Sequence, residues 1–231
     1  MGLDHSPAII TDGLVFYLDP ANKRSYSGSG ITANSLVGGT GSTLVNGVGF
    51  SSANNGSFFF DGTNDYINTN IFSSSIGLTS SNFSIGVWAK VKDYSTFNAF
   101  VTRTLGNIAA PLDMYILNSV SYAPGYLVVL LGNGTTWSTL QSSSQFPLTW
   151  TYLFFTLNSS TMALYYNAVF NSSTSLAVPR GESANPIKIG TREDGATYMN
   201  GNISQVQIYN RALTQQEVLQ NYNATKGRFG L

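Results

Sequence analysis

The sequence predicts an all-β protein, a two-sheet antiparallel jelly-roll sandwich with one short C-terminal helix. Three observations carry this. Short apolar runs recur along the chain, separated by Gly, Asn, Pro and Ser, and many short strands at such spacing build sandwiches. Residues 82–91 alternate strictly, with Phe83, Ile85, Val87, Ala89 and Val91 on one face and Ser84, Gly86, Trp88 and Lys90 on the other. That is the period of a strand. Convincing helix signals occur once, near the end of the chain, at Thr214.

Taken in order, residues 1–12 read as an arm and residues 13–231 as a single domain without an internal linker. Residues 13–19, GLVFYLD, are continuously apolar and suit a strand buried on both faces. Pro20 and Asn22 break it. Residues 22–55 are rich in Gly, Ser, Asn and Thr, with apolar residues every few positions, and read as long ordered loops holding one or two short strands. Residues 57–69 place two short strands around Asp61-Gly62-Thr63-Asn64, a hairpin or tight-bend signal. After the strand at 82–91, further strands are expected at 97–103, 112–117, 126–131, 135–141, 151–157, 162–170 and 186–190.

The stretch from 201 to 231 closes the fold. Ile203, Val206 and Ile208 supply a strand whose spacing slips by one residue at Gln205, which predicts a bulge. Thr214 and Glu217 form a capping box, and Leu213 and Val218 a hydrophobic staple. Lys226 lies in the closing turn, and Gly227 after it is the expected left-handed stop. This last strand is expected in the middle of a sheet, holding the two ends of the chain together.

Composition bounds the function. Aromatic residues make up 13% of the chain, ample for a core, while charged residues are only 10%, against about 25% in an average protein. Eleven basic residues balance eleven acidic ones, so there is no electrostatic footprint for nucleic acid and no basic patch for a membrane surface. No cysteine is present, which excludes disulfides and thiolate metal sites. The N-terminus shows no signal-peptide pattern and no apolar run reaches transmembrane length. A weakly charged, Ser/Thr/Asn-rich surface without an export signal fits a component of a particle released by lysis, so a virion surface is the expected location.

Several motifs together resemble a known family. They are GLVFYLD, FFFDGTNDYI, FSIGVWAKV, WTYLFFTLNSSTMALYYN, IKIGTRED and GNISQVQIYNRALTQQEV, in this order across nearly the whole chain. The chain is similar to the laminin-G-like branch of the concanavalin A-like lectin/glucanase domains, of the type found in structural proteins of tailed bacteriophages. The resemblance implies the jelly roll, and it implies calcium as the one candidate cofactor. Asp61, Asn64 and Asp65 stand together on a tight turn and are the candidate ligands, since calcium takes several hard oxygens. The plainer reading is that Asp61 and Asn64 bond their own turn backbone.

Glycoside hydrolases share this fold, yet they need two facing carboxylates. The chain has three glutamates: Glu217 is used as a cap, Glu182 sits in a loop, and Glu193 adjoins Asp194, so that the two side chains diverge. His5 is the only histidine and lies in the arm, which leaves a Ser-His-Asp triad without a base. No catalytic residue is therefore expected. Sugar binding instead needs exposed aromatic faces with polar neighbours. Trp137, Tyr122 and Tyr126 are the candidates, with burial in the core or an interface as the alternative, whereas Trp88 and Trp150 are expected in the core.

The expected function is non-enzymatic: a head or tail decoration or fibre component of a virion, acting through contacts with capsid or tail proteins and with copies of itself. Adhesion to host surface glycans is the accompanying role. The alternatives are a bacterial cell-surface carbohydrate-binding module and, more remotely, a glycoside hydrolase.

Overall fold

A computed structural model describes residues 7–77, 81–105, 108–118, 120–121, 123–177, 185–192 and 197–231. The described strands are β1 (Leu14–Leu18), β2 (Thr32–Asn34), β3 (Gly41–Val45), β4 (Gly49–Ser51), β5 (Ser57–Asp61), β6 (Tyr66–Asn68), β7 (Asn82–Val91), β8 (Asn98–Leu105), β9 (Ile108–Ile116), β10 (Tyr126–Gly132), β11 (Trp137–Gln145), β12 (Thr151–Asn158), β13 (Thr161–Tyr166), β14 (Val169–Ser175), β15 (Lys188–Ile189) and β16 (Asn200–Tyr209). A helix, α1 (Gln215–Thr225), follows them.

The strands form two antiparallel sheets. The first has the order β14-β13-β12-β7-β16-β5-β4, with β1 also paired to β16, and the second runs β11-β10-β9-β8-β15-β6-β3-β2. Both sheets turn an apolar face inward: Phe83, Ile85, Val87, Leu153, Phe155, Ile203, Val206 and Ile208 from the first meet Val101, Leu112, Met114, Leu127, Val129 and Ile189 from the second. The alternation read at residues 82–91 is this inner face.

β16 is the central strand. One edge pairs with β7 along nearly its whole length, while the other is shared by β5 near Asn200–Ile203 and by β1 near Val206–Tyr209. The expected bulge is present: Ile203 faces Ala89 and Gln205 faces Trp88, so Ser204 is the extra residue. The two ends of the chain therefore meet on this strand.

The outer face of the first sheet is sealed by α1. Trp88 is fully buried, but against the helix rather than between the sheets, with Tyr152, Phe154, Tyr209, Leu213, Val218 and Phe229 around it. Its ring stacks on Phe229 at 4.1 Å between centroids, and such pairs add about 0.5–1.5 kcal/mol beyond burial. Trp150 is only half-buried and packs against this cluster from its edge. The arm is tied down as well. The Ile10 amide donates to Asn221 Oδ1 at 2.7 Å, and Asn221 Nδ2 donates to the Tyr209 hydroxyl at 2.9 Å.

The capping box and staple form as expected. The Thr214 hydroxyl accepts from the Glu217 amide and the Glu217 carboxylate accepts from the Thr214 amide. Arg211 grips the same carboxylate with both guanidinium nitrogens, at 3.0 and 2.6 Å. Its Nε lies 2.8 Å from Asp12 in the arm.

Four expectations are corrected. Gly227 is not the left-handed stop: the chain continues through a 3-10 turn, Lys226–Phe229, and Gly230 takes that role with φ 75°. Stopping at Gly227 would remove Phe229 from its stack on Trp88. Residues 162–170 are two strands, not one, because Asn167 and Ala168 both adopt positive φ and turn the chain from β13 into β14. Of the two readings of residues 57–69, the tight bend between two short strands holds and the hairpin does not, since β5 lies in the first sheet and β6 in the second. Residues 22–55 hold three short strands, β2, β3 and β4.

Two outcomes follow. Thr214→Ala costs about 1 kcal/mol in urea unfolding; a neutral result would mean that packing alone holds the helix start. The Arg211 guanidinium, helped by the Thr214 amide and hydroxyl, lowers the Glu217 carboxyl from its ordinary 4.5 to about 2. Its contribution to stability is present above the ordinary value and is lost as pH falls toward about 2. Glu217→Gln should therefore show a shallower acid slope, and an unchanged slope would remove the ion pair from the stabilising set.

Candidate functional site

The second sheet presents an outer face that no helix covers among the described residues. Its register can be followed strand by strand. Asn68 lies opposite Lys188, Lys188 opposite Thr102, Thr102 opposite Asp113, Asp113 opposite Leu130, and Leu130 opposite Thr139. Ile67, Ile189, Val101, Met114 and Val129 point into the core from the alternate positions, so the row lies on the outer side of the sheet, where Thr102, Asp113 and Leu130 are nonetheless buried and only its ends are open. Arg192 Nε donates to Asp113 Oδ2 at 2.7 Å. The same guanidinium lies 5.1 Å from the centroid of Tyr115, and Lys188 Nζ 5.1 Å from that of Tyr66.

Trp137 begins β11 on this face and is 53% exposed. Its cross-strand partner is Gly132, which places no side chain over the indole. Thr139 is exposed and Gln141 half-buried on the same side of β11. The three span about 13 Å at a strand's rise per residue. This strip offers an aromatic plane followed by hydroxyl and amide groups.

Tyr126 lies elsewhere. It pairs with Gln145 at the opposite end of the β10–β11 ladder and packs half-buried near Phe97, Tyr115 and Ala123. Roughly 20 Å of strand separates it from Trp137, so the two rings do not converge on one sugar. Tyr122 falls outside the described residues, as do Glu182, Glu193 and Asp194. The row of Tyr115, Arg192 and Lys188 was not singled out from the sequence. These residues come from segments far apart in the chain, and only the alternation along β9 hinted that Tyr115 faces outward.

The Asp61–Asp65 turn joins the two sheets. Asp61 Oδ1 accepts from the Thr63 amide at 2.7 Å, an ordinary turn bond, and the Asn64 carbonyl accepts from Asn46 Nδ2 at 3.0 Å. Asp65 is different. It is 3% exposed, its Oδ2 accepts from the Asp61 amide at 3.2 Å, and its Oδ1 has no hydrogen-bond partner. Burial pushes the Asp65 carboxyl up, against the Asp61 amide, and the Asp61 charge adds to the rise. An unsatisfied buried acceptor costs about 1–3 kcal/mol. The residues fit a hard cation to this extent: one buried carboxylate oxygen without a donor and a second carboxylate nearby. Among the described residues no group of three or more acidic or histidine side chains assembles anywhere, so backbone carbonyls and water would have to complete the shell.

Residues 61–219 match the Laminin_G_3 family, described as the concanavalin A-like lectin/glucanases superfamily. This is well over half of the chain, and the protein belongs to that family. No curated protein matches the sequence. Among solved structures it is similar to the receptor-binding domain of the botulinum neurotoxin C/D mosaic serotype, with TM-score 0.67, 16% identity, and coverage of 92% of this chain and 51% of that one. It is similar to Domain 4 of AbnA, a GH43 extracellular arabinanase from Geobacillus stearothermophilus, in complex with arabinotriose, with TM-score 0.68, 14% identity, and coverage of 90% and 98%. The binding domain of Paraclostridial Mosquitocidal Protein 1 has TM-score 0.67, 19% identity, and coverage of 92% and 52%. Likeness at such identities establishes a shared fold. This chain spans about half the length of the toxin binding domains and nearly all of the arabinanase domain.

Proposed function

We propose that this chain is a non-catalytic adhesion module that holds a saccharide along β11, with Trp137 as the stacking platform. The exposed indole opposite Gly132 carries the reading, because a large aromatic left bare beside hydroxyl and amide groups suits the apolar face of a sugar ring. The arabinotriose bound to the arabinanase domain supports the class of ligand. The only glutamate among the described residues is held by Arg211 and the helix cap, which favours binding over hydrolysis.

We place the module on the surface of a virus particle, as a head or tail decoration or a fibre component. The support is compositional: zero net charge and 10% charged residues suit a protein held within an assembly. Exposed Val169 and Phe170 on edge strand β14 offer an apolar contact for a neighbouring subunit. A bacterial cell-surface module is the competing placement.

Calcium, in this reading, braces the turn between the sheets by taking Asp65 Oδ1 and the Asp61 carboxylate. Without metal, stability falls as pH rises through the elevated Asp65 pKa, because the buried carboxylate then ionises. Calcium reverses that penalty. Adding calcium should raise the melting temperature, chelation should lower it, and Asp65→Asn should abolish the difference. A melt that ignores chelator would remove the metal.

A glycan array probed with the purified chain, alongside its mass in solution, tests the adhesion role. Binding lost in Trp137→Ala is the expected result. A well-folded protein silent on the array would leave protein–protein decoration as the function.

A further inference from the structure

We infer that a second saccharide site lies on the outer face of the first sheet, and that it takes an acidic sugar. The starting observation is Phe59. Its neighbours Phe58 and Phe60 point into the core and are fully buried, whereas Phe59 points outward and is 45% exposed. Helix α1 and the arm seal the part of this sheet around Trp88 and Tyr209. They stop short of Phe59.

The register assembles polar partners beside this ring. Phe59 lies opposite Asn202, and Asn202 opposite Lys90, so adjacent side chains stand about 5 Å apart. Gly49, on the other flank of Phe59, adds no side chain to cover it. Lys92 lies two residues beyond Lys90, and Leu148 closes the far side. Together with Val91 and Gly201 they line a cavity of about 270 Å³. Gly201 is required there, since a Cβ would come within 2.2 Å of the Lys90 carbonyl oxygen.

Charge decides the ligand. The chain has only eleven basic residues; both lysines of this cavity are exposed and neither is in a salt bridge among the described residues, although the Lys92 charge acts on the adjacent Asp93 carboxylate. Two carboxylates lie nearby, and each is engaged in its own turn. Asp61 Oδ1 accepts from the Thr63 amide, and Asp93 Oδ1 accepts from the Ser95 amide and hydroxyl. Asn202 Nδ2 donates to Ser57 Oγ at 3.2 Å, which leaves its Oδ1 to accept from a sugar hydroxyl. An exposed phenyl ring suits the C–H face of a pyranose, and two ammonium groups suit its carboxylate. A bare inorganic anion would make no use of the ring, and a neutral sugar none of the lysines. Uronic and sialic acids share the required chemistry.

The site is on the opposite sheet from Trp137 and does not depend on it. Titration calorimetry with trigalacturonate and with 3'-sialyllactose, against maltotriose and lactose as neutral controls, separates the two. The expected result is binding of at least one acidic probe in Trp137→Ala, weakening with added salt. Phe59→Ala and the double variant Lys90→Gln/Lys92→Gln should each reduce that affinity about tenfold or more, roughly 1.4 kcal/mol. All three side chains are exposed, and a thermal melt confirms folding of each variant. Failure of both acidic probes on the folded protein overturns the proposal. So does acidic binding that survives in both sets of variants, or inorganic sulfate competing equally well in Phe59→Ala and in the unchanged protein.

Discussion

The fold depends on what gathers around the bulge in β16. Ser204 is pushed out of register there, and its hydroxyl donates to the Gly56 carbonyl and accepts from Arg228. Gln205 donates to Asp19, and Tyr17 does the same through its hydroxyl. Arg228 Nη1 reaches both oxygens of Asp19 at 3.0 Å. One buried carboxylate, on the residue after the first strand, is thus shared by the last strand and the segment after the helix. A buried charge is tolerable only when its hydrogen bonds are filled. Asp19 meets that condition only when both chain ends are in place, so the network selects the closed topology.

That clasp makes the two sheets unequal. Arg228 directs Phe229 onto Trp88, and the helix then shields the middle of the first sheet. The second sheet has no helix over it among the described residues, and its outer side carries Lys188, Arg192 and the exposed Thr139 and Trp137, the surface proposed above for a saccharide. The first sheet is open at the edge beyond Trp88, where Phe59 and Lys90 lie, and at β14, where Val169 and Phe170 are exposed. The zipper between the edges of the sheets, through Asn171 and Ser143 at 2.8 Å, keeps β11 fixed against β14.

Much of this was legible before the fold was known. The alternation of residues 82–91 named the inner face of β7, the slipped spacing near Gln205 named the bulge, and Thr214 with Glu217 named the helix start. All are local signals within a few residues. The stop at Gly227 was misread because a distant stack, Phe229 on Trp88, outweighs a local glycine preference. The split of β13 from β14 was missed because Asn167 and Ala168 carry a two-residue turn without the usual Asn-Gly signature.

The candidate site was legible only in fragments. Trp137 was singled out from its place beside a turn, with burial in the core or an interface as the alternative; the structure leaves it exposed, at the far end of the β10–β11 ladder from Tyr126, since sequence nearness along a hairpin says nothing about which ends of two strands meet. The sequence by itself determined most of the strands, the N-terminal cap of the helix and the absence of cysteine chemistry, since these follow from composition, side-chain periodicity and local backbone preference. Only the tertiary structure decided that Trp88 is covered by a helix while Phe59 is not, that Asp65 holds an unpartnered oxygen, and that Lys90 and Asn202 stand beside one ring. The first and last of those facts arise from contacts between segments more than a hundred residues apart, and the second from how one turn packs where the sheets join; no local preference encodes them.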